Sequence, residues 1–186
     1  MHRPLEFGVC LHKITDVTAE SKRAEKEGFD FFACGEHIFS RGPVDNSLIA
    51  LAAAAGSTST IQLMSTVTLA THYSSALLTK QVVTLDQVSN GRFHFGVGIG
   101  GEIPEEFSAC NVRVKDRGSR TNETLQIFKK LCTDDNVDFD GKYCSLNGVT
   151  LSPKPLHKPH PAIWISGRSE AAMQRCAQFG NGWLPY

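Results

Sequence analysis

The sequence predicts an α/β protein built on a parallel sheet. Short apolar runs alternate with helical stretches through the whole chain, and six such runs are found in 186 residues. Several helical stretches also end at a glycine, which is a common residue after the last helical turn. Strands that alternate with helices pair in parallel through right-handed crossovers, and the helices then cover the sheet. The sequence therefore favours an α/β class in which the carboxyl ends of all strands meet at one edge.

Six strands follow from the apolar runs, of which the third shows the strict alternation of a half-buried strand. They are residues 5–11, 29–35, 61–70, 92–100, 162–167 and 181–186. Helices are expected between them. They cover residues 18–28, 45–56, 74–91, 115–132 and 168–180.

The helix boundaries follow from residues that bind free backbone groups. Thr18 is predicted to cap the first helix and Gly28 to end it. One of the residues 45–47 caps the second helix, and Gly56 is expected to stop it.

An excursion interrupts the repeat between the fourth helix and the fifth strand. Asp140–Gly141 separates two short alternating runs and predicts a hairpin with a two-residue turn. The four prolines in 152–161 predict an extended loop. We therefore expect a single domain over 1–186, with an insertion at about 134–160.

Composition excludes several classes of partner. Lys plus Arg and Asp plus Glu are 19 each, so there is no broad field to attract nucleic acid or an anionic membrane. No segment resembles a signal peptide or a spanning helix, so we expect a cytoplasmic protein with no membrane contact. The six cysteines form no C-x-x-C pair and are expected to be free thiols, with no metal site.

The glycine stretch GVGIGG, residues 96–101, has the spacing of a dinucleotide fingerprint. A fingerprint needs its glycines after the first strand, a helix that begins at once, and an acidic residue at the tip of the next strand. Here three strand and helix units come first, Pro104 interrupts the following segment, and the acid at the required distance, Glu123, lies within a helical pattern. The fingerprint is therefore rejected.

Glycines at a strand end still need a cause, because each one weakens the strand. In a βα barrel the carboxyl rim of the strands is the active-site face, and absent side chains there let a ligand lie against backbone. The alternative is a tight bend at a corner of the barrel.

Three separated motifs carry a resemblance to a known family. DQVSNGRFHFGVGIG with the acidic PEEF behind it, KPHPAIWISGRSEAAMQRCAQFGNGWLP, and GFDFFACGEH resemble, in the right order, segments of the luciferase-like monooxygenases. The resemblance implies a TIM-like parallel βα barrel that binds FMN or the deazaflavin F420. This chain would hold about six of the eight β-α units, so we expect an incomplete barrel with a small β-hairpin insertion.

The resemblance also assigns roles to residues that follow the strands. Glu36 and His37 are implied to be catalytic beside the cofactor ring, because a group that titrates near neutral pH can move a proton there. The alternative is an ion pair that faces a helix. Ala70 and Thr71 are implied to contact the cofactor where relatives bend the backbone, sometimes through a non-proline cis peptide, whereas His72 is expected to face solvent.

The remaining cofactor contacts are expected from two glycine-containing segments. The first holds Gly96, Gly98 and Gly100, which would lie against the ring. In the second, Ser166, Gly167, Arg168 and Ser169 bring N–H groups, hydroxyls and a positive charge to a helix N-terminus, where a phosphate binds well. An ordinary serine cap with a surface arginine is the alternative for this second segment.

The resemblance leaves the cofactor open between FMN and F420. FMN-binding relatives can carry an arginine at the position of Ile99, and its absence tilts the choice slightly to F420. The reaction is an oxidation, oxygenation or hydride transfer on a small organic substrate, with a separate flavin reductase if FMN is used. A phosphate-handling lyase ranks last, because no lysine or pair of carboxylates stands at the strand ends.

An incomplete barrel exposes unpaired strand edges, which invite pairing with another chain. We therefore expect a truncated product or an association that covers the gap, and a homo-oligomer. The alternative function is a catalytically silent flavin-binding or subunit-like protein.

Overall fold

The computed structural model describes residues 5–11, 16–40 and 42–185, so Tyr186 at the end of the sixth predicted strand lies outside the described residues. Strands and helices alternate along the chain as expected. The strands are β1 Gly8–Cys10, β2 Phe31–Cys34, β3 Gln62–Ser65, β4 Thr68–Leu69, β5 Phe93–Gly98, β6 Val137–Asp140, β7 Ser145–Val149, β8 Ile163–Ser166 and β9 Gly182–Leu184. The helices are α1 Val17–Glu27, α2 Ser47–Ser57, α3 Ser75–Val88, α4 Pro104–Ala109, α5 Arg117–Thr133 and α6 Glu170–Phe179. Short 3₁₀ turns cover Ala70–His72 and Val114–Asp116.

The main sheet is parallel throughout and curls into a half-barrel with helices around it. Its strand order is β1-β2-β3-β5-β8-β9, with β4 paired to β5. The expected TIM-like class, incomplete and with a small antiparallel hairpin, is confirmed. Because all strands run in the same direction, their carboxyl ends share one edge of the sheet.

Alternation along the strands separates two faces of the sheet. One face packs against the helices and holds the main apolar core. Its fully buried strand residues include Leu63, Phe93, Phe95, Val97, Ile163 and Ile165, and the helices contribute Leu51, Leu78 and Leu125. This burial fixes the register, since a one-residue slip would turn the set to the other face.

The third predicted strand, 61–70, is broken into β3 and β4, which the sequence did not predict. At the break the hydroxyl of Ser65 accepts from the Gly96 N–H and donates to the Gly96 carbonyl, each at 2.9 Å. A side chain thus takes over two bonds of the backbone ladder, and pairing resumes with Thr68 beside Val97. The peptide bond between Thr66 and Val67 is cis, upstream of the expected position near Ala70.

Some helix ends differ from those predicted from the sequence. Asp16, and not Thr18, caps α1, because its carboxylate accepts from the Ala19 N–H at 2.9 Å. Gly28 ends α1 in the left-handed region, as predicted, with φ of 86°. Gly56 does not stop α2, which continues to Ser57.

Two further features differ from the prediction: the segment that follows the glycine stretch, and the turn of the hairpin. Pro104 does not disrupt a helix but begins α4 at its first turn, where its missing N–H costs no hydrogen bond. The hairpin turn spans the four residues 141–144 instead of two, because Glu123 accepts the N–H groups of Lys142, Tyr143 and Cys144. The loop 152–161 has no helix or strand, as predicted.

Membrane-spanning helices, disulfides and clusters of metal-ligating side chains are absent from the described part of the chain. No helix there combines the length and apolar character needed to cross a bilayer. The six cysteines are free thiols. Among the described residues, no cluster of His, Cys, Asp and Glu could hold a metal ion.

Glu25 provides a test of how the loops between helix and strand are held. Its carboxylate accepts the N–H groups of Ser59, Thr60 and Ile61. Burial acts to raise the pKa of Glu25, but these hydrogen bonds outweigh it and lower the pKa from 4.5 to about 2. The stabilisation is therefore complete above pH 4.5 and is lost as the pH falls towards 2.

We expect Glu25→Gln to lower the free energy of unfolding by about 2 kcal/mol at pH 7, because hydrogen bonds to a charged group are lost. The difference from wild type should shrink as the pH falls towards 2. Urea unfolding at pH 7, 4 and 3 measures it. Glu27→Gln is the control on the same helix and should change stability by less than about 0.5 kcal/mol. Equal losses at every pH would contradict this account of the loop.

Gly96 provides a test of the strand break. A Cβ built on Gly96 would overlap the Ser65 carbonyl oxygen. We expect Gly96→Ala to abolish cooperative unfolding or to lower the melting temperature by ~10 °C or more, since backbone must shift to relieve the overlap. Gly56→Ala is the matched control, because no atom lies within 4 Å of its Cβ position and alanine favours a helix. A Gly96→Ala protein as stable as wild type would refute the close approach.

Candidate functional site

A pocket of about 360 Å³ opens at the carboxyl edge of the sheet. Its walls come from the segment after β2, the first turn of α2, and the 3₁₀ turn after β4. The lining residues are Glu36, His37, Ile38, Asn46, Leu69, His72 and Tyr73. Leu69 pairs with Gly98 of β5, so the pocket lies beside the glycine stretch.

Glu36 forms the floor of this pocket and is 7% exposed. One carboxylate oxygen accepts from the Leu69 N–H at 2.7 Å. The other accepts from the N–H and hydroxyl of Ser47 at 3.1 and 2.8 Å and from the Tyr73 hydroxyl at 3.0 Å. Burial raises the pKa of Glu36, although the hydrogen bonds from Ser47, Leu69 and Tyr73 oppose the rise. The alternative prediction for Glu36 is an ion pair that faces a helix. The carboxylate does face the start of α2, but its hydrogen-bond partners are neutral groups.

His37 is held by a second carboxylate, that of Glu106 on α4. The His37 Nδ1 lies 3.2 Å from Glu106 Oε1, and the ring is 30% exposed to the pocket. The same oxygen accepts from the N–H groups of Ile38 at 2.6 Å and Phe39 at 3.0 Å. Burial acts to raise the pKa of Glu106, but the bonds from Phe39, His37 and Ile38 outweigh it and lower the pKa. The carboxylate is therefore ionised near neutral pH, so Nδ1 donates to it and Nε2 is left for other partners.

His72 has no hydrogen-bond partner within the described residues. Its side chain is only 3% exposed, so the expectation that it faces solvent is wrong. Neither ring nitrogen has a partner at hydrogen-bond distance, and the nearest carboxylate oxygen, Glu106 Oε2, is 3.7 Å from Nε2. The ring packs edge-on against Phe107, with centroids 4.7 Å apart. Burial lowers the pKa of His72, and the Glu106 charge raises it by less, so the ring is neutral at pH 7.

Contacts within the chain explain why glycine is needed at the predicted positions of the glycine stretch. Gly98 lies against Val67, so a side chain there would overlap that valine. Gly100 has φ of 64°, a conformation that favours glycine, and a Cβ there would lie 3.3 Å from Phe107 and 3.6 Å from the His72 Nε2. The contact of Gly96, Gly98 and Gly100 with a cofactor stays a prediction.

Ala70 and Thr71 form the 3₁₀ turn that joins β4 to His72. They are 0% and 1% exposed, and the Thr71 hydroxyl donates to the Ile99 carbonyl at 3.1 Å. This turn ties the glycine stretch to the wall of the pocket. A direct contact of either residue with a cofactor stays a prediction.

The segment 166–169 lies at the same edge of the sheet but does not line the pocket. Gly167 has φ of 124°, its N–H donates to the Leu184 carbonyl at 3.1 Å, and Arg168 is exposed. Ser169 caps α6, and its hydroxyl accepts from the Ala172 N–H at 3.2 Å. The capping bond leaves the other first-turn N–H groups of α6 for an anion. The structure thus brings Glu36, His37, Ala70 and Thr71 together and leaves Ser166–Ser169 at a separate point of the same edge.

Sequence reasoning missed Glu106, which does not line the pocket itself but bonds the lining residues His37 and Ile38. A signal was present, because Ile103, Glu106, Phe107 and Cys110 have the spacing of one helical face. A charged residue on an otherwise apolar face is expected to have a buried partner. Asn46 and Tyr73 were also missed, and the Asn46 amide donates to the Tyr73 hydroxyl at 2.6 Å.

We expect Glu106→Gln to lower the pKa of His72 further, because the carboxylate charge that raises this pKa is removed. The free energy of unfolding at pH 7 should fall by about 2 kcal/mol, since bonds from two loop amides to a charge are weakened. Histidine ring NMR over pH 4 to 8 and urea unfolding measure the two effects. Glu105→Gln, its exposed neighbour, is the control. An unchanged His72 titration in a folded Glu106→Gln protein would contradict the electrostatic contact.

Comparison with known proteins gives matches to one family. The family model of the luciferase-like monooxygenases matches residues 7–186. The FMNH₂-dependent dimethylsulfone monooxygenase of Pseudomonas putida is 35% identical over 112 residues, which cover 59% of this chain and 31% of that relative. The chain therefore spans about a third of the length of this curated relative.

Solved structures share the fold. The monooxygenase RslO1 of Streptomyces bottropensis superposes with a TM-score of 0.86 at 25% identity, over 96% of this chain and 59% of that one. An F420-dependent secondary alcohol dehydrogenase, solved with an F420-acetone adduct, superposes with a TM-score of 0.84 at 22% identity, over 96% and 57%. With the family model covering nearly all of the sequence, the chain belongs to the luciferase-like monooxygenases.

Proposed function

We propose that this chain forms the ring-facing part of an oxidoreductase that uses FMN or F420 to oxidise or oxygenate a small organic molecule. The observation that carries the proposal is the His37–Glu106 pair in a pocket at the carboxyl edge of the half-barrel. Active sites of βα barrels lie at this edge. The chain's membership of the luciferase-like monooxygenases supports the same chemistry.

The residues present fit such a cofactor and its substrate in two respects. His72 is a buried polar side chain without a partner at the edge of the pocket, and an unpaired buried group is expected to have a ligand. The first turn of α6, with the exposed Arg168 before it, suits a phosphate group. A bound FMN or F420 would supply the two-electron redox chemistry.

The protein's own groups would handle the proton. Glu106 holds the Nδ1 hydrogen of His37, which fixes the ring and leaves Nε2 to give or take a proton in the pocket. Glu36 binds the Leu69 N–H and the Tyr73 hydroxyl and so keeps the opposite wall in place. In this proposal His37 is the catalytic residue, and Glu36 and Glu106 are positioning residues.

Two observations bear on the choice of cofactor. The curated relative at 35% identity is named for FMNH₂. The residue Ile99, at a position where FMN-binding relatives can carry arginine, favours F420 instead. Use of FMN would require a reductase as partner to supply the reduced cofactor.

Binding of each cofactor to the purified chain tests the proposal. We expect either FMN or F420 to bind with a change in its absorbance, and Arg168→Ala to weaken that binding about tenfold, as for the loss of ~1.4 kcal/mol from one phosphate contact. Arg23→Ala, an exposed arginine on α1, is the control and should bind like wild type. Absorbance titrations under anaerobic conditions, with oxidised and reduced cofactor, measure both.

The outcomes separate the candidate functions. A folded chain that binds neither cofactor would refute the proposal. Binding without turnover of dimethyl sulfone or a simple alcohol would favour the silent flavin-binding protein. Binding that is unaffected by Arg168→Ala would refute the phosphate site alone.

A further inference from the structure

His72 carries an inference about what the pocket accepts. It is the one lining residue whose buried polar atoms all lack a partner in the described chain. The neighbouring polar groups are already engaged: Glu36 accepts four hydrogen bonds, and Asn46 donates to Tyr73. A ligand that enters the pocket therefore meets His72 as the polar group most in need of a hydrogen bond.

The charges around the pocket limit the ligand's charge. Glu36 lines the pocket directly, and the ionised carboxylate of Glu106 lies 3.7 Å from the His72 Nε2. Among the described residues that line the pocket, none is Lys or Arg. A negative charge placed beside His72 would therefore lie close to the Glu106 carboxylate, with no Lys or Arg in the described lining to offset it.

The remaining wall is apolar. It consists of Leu69, which is 5% exposed, and Ile38, which is 49% exposed. Such a wall contacts short alkyl groups, and the pocket volume of about 360 Å³ is at the small end for ligand sites.

We propose that His72 is a substrate-binding residue that hydrogen-bonds the oxygen of a small uncharged molecule, whose alkyl groups lie against Leu69 and Ile38, and that anionic analogues are excluded. The inference rests on the proposed function, since it assigns the substrate class of the same site. A neutral imidazole offers one donor and one acceptor, so sulfonyl, carbonyl and hydroxyl oxygens can all bind to it. Sulfonates and carboxylates of the same size are rejected by charge and not by shape.

The test compares two probes of nearly equal shape, dimethyl sulfone and methanesulfonate, in which a methyl group is replaced by a charged oxygen. Ligand-observed NMR on the full 186-residue chain, with and without FMN, gives the affinities without any turnover. We expect dimethyl sulfone to bind at least about tenfold more tightly than methanesulfonate, which is ~1.4 kcal/mol. The ring signals of His72 should shift on addition of the sulfone.

The variant His72→Phe keeps the ring packing on Phe107 and removes both nitrogens. We expect it to bind dimethyl sulfone at least about fivefold more weakly, with an unchanged circular dichroism spectrum. His160→Phe is the control, because His160 packs on Phe128 outside the pocket. If His72→Phe does not fold, the inference is tested by whether the NMR signals of the wild-type His72 ring shift when dimethyl sulfone is added.

Three results would overturn the inference: methanesulfonate binding as tightly as the sulfone, an unperturbed His72 ring, or no sulfone binding by the folded wild type. Each can occur while FMN or F420 still binds, which would leave the proposed function standing. Failure of both cofactors to bind, with the sulfone preference intact, would refute the redox proposal and keep the neutral subsite.

Discussion

Carboxylates that accept backbone N–H groups hold the connections of this fold in place. A parallel sheet needs a long crossover between each pair of strands, and the loops at the ends of the crossovers have no ladder of their own. Glu25 binds three consecutive amides before β3, Asp86 binds those of Leu156 and His157, and Glu106 binds two after β2. For Glu25 and Glu106 the amides outweigh burial and lower the pKa of the carboxyl group, and in all three cases the bonds hold the loop in one shape. Glu106 holds a loop of the site at the carboxyl edge of the sheet, whereas Glu25 and Asp86 hold loops that precede β3 and β8.

The pocket depends on a second constraint, the break between β3 and β4. Ser65 replaces two ladder bonds of Gly96, and the chain then leads through β4 into the turn that carries His72. Glu36 binds the Leu69 amide just before this turn. Two groups therefore set the position of His72: the Ser65 hydroxyl at the strand break and the Glu36 carboxylate, which follows β2. The glycines of β5 make this possible because they leave room for the displaced strand.

Much of the fold could be predicted from the sequence, because it depends on patterns that repeat. The alternation of apolar runs and helical stretches indicated the parallel sheet, and the strand ends placed Glu36, His37 and the glycine stretch at one edge. The break after Ser65 could not be predicted, since an alternating run looks the same whether a backbone or a side-chain group pairs with its neighbour. The role of Glu106 depends on a contact with His37 across 69 positions of sequence, which no local pattern records. The cap of α1 was misassigned because Asp16 and Thr18 are both good capping residues, and only the backbone geometry distinguishes them.

Glu106 binds His37 on one side and the amides of Ile38 and Phe39 on the other. The side chain that orients the imidazole is therefore the same one that fixes the backbone after β2. A substitution of Glu106 would release the ring and the loop together, so neither can be altered alone through this carboxylate. The opposite wall is independent of it, because the Leu69 amide and the Tyr73 hydroxyl bond to Glu36 instead.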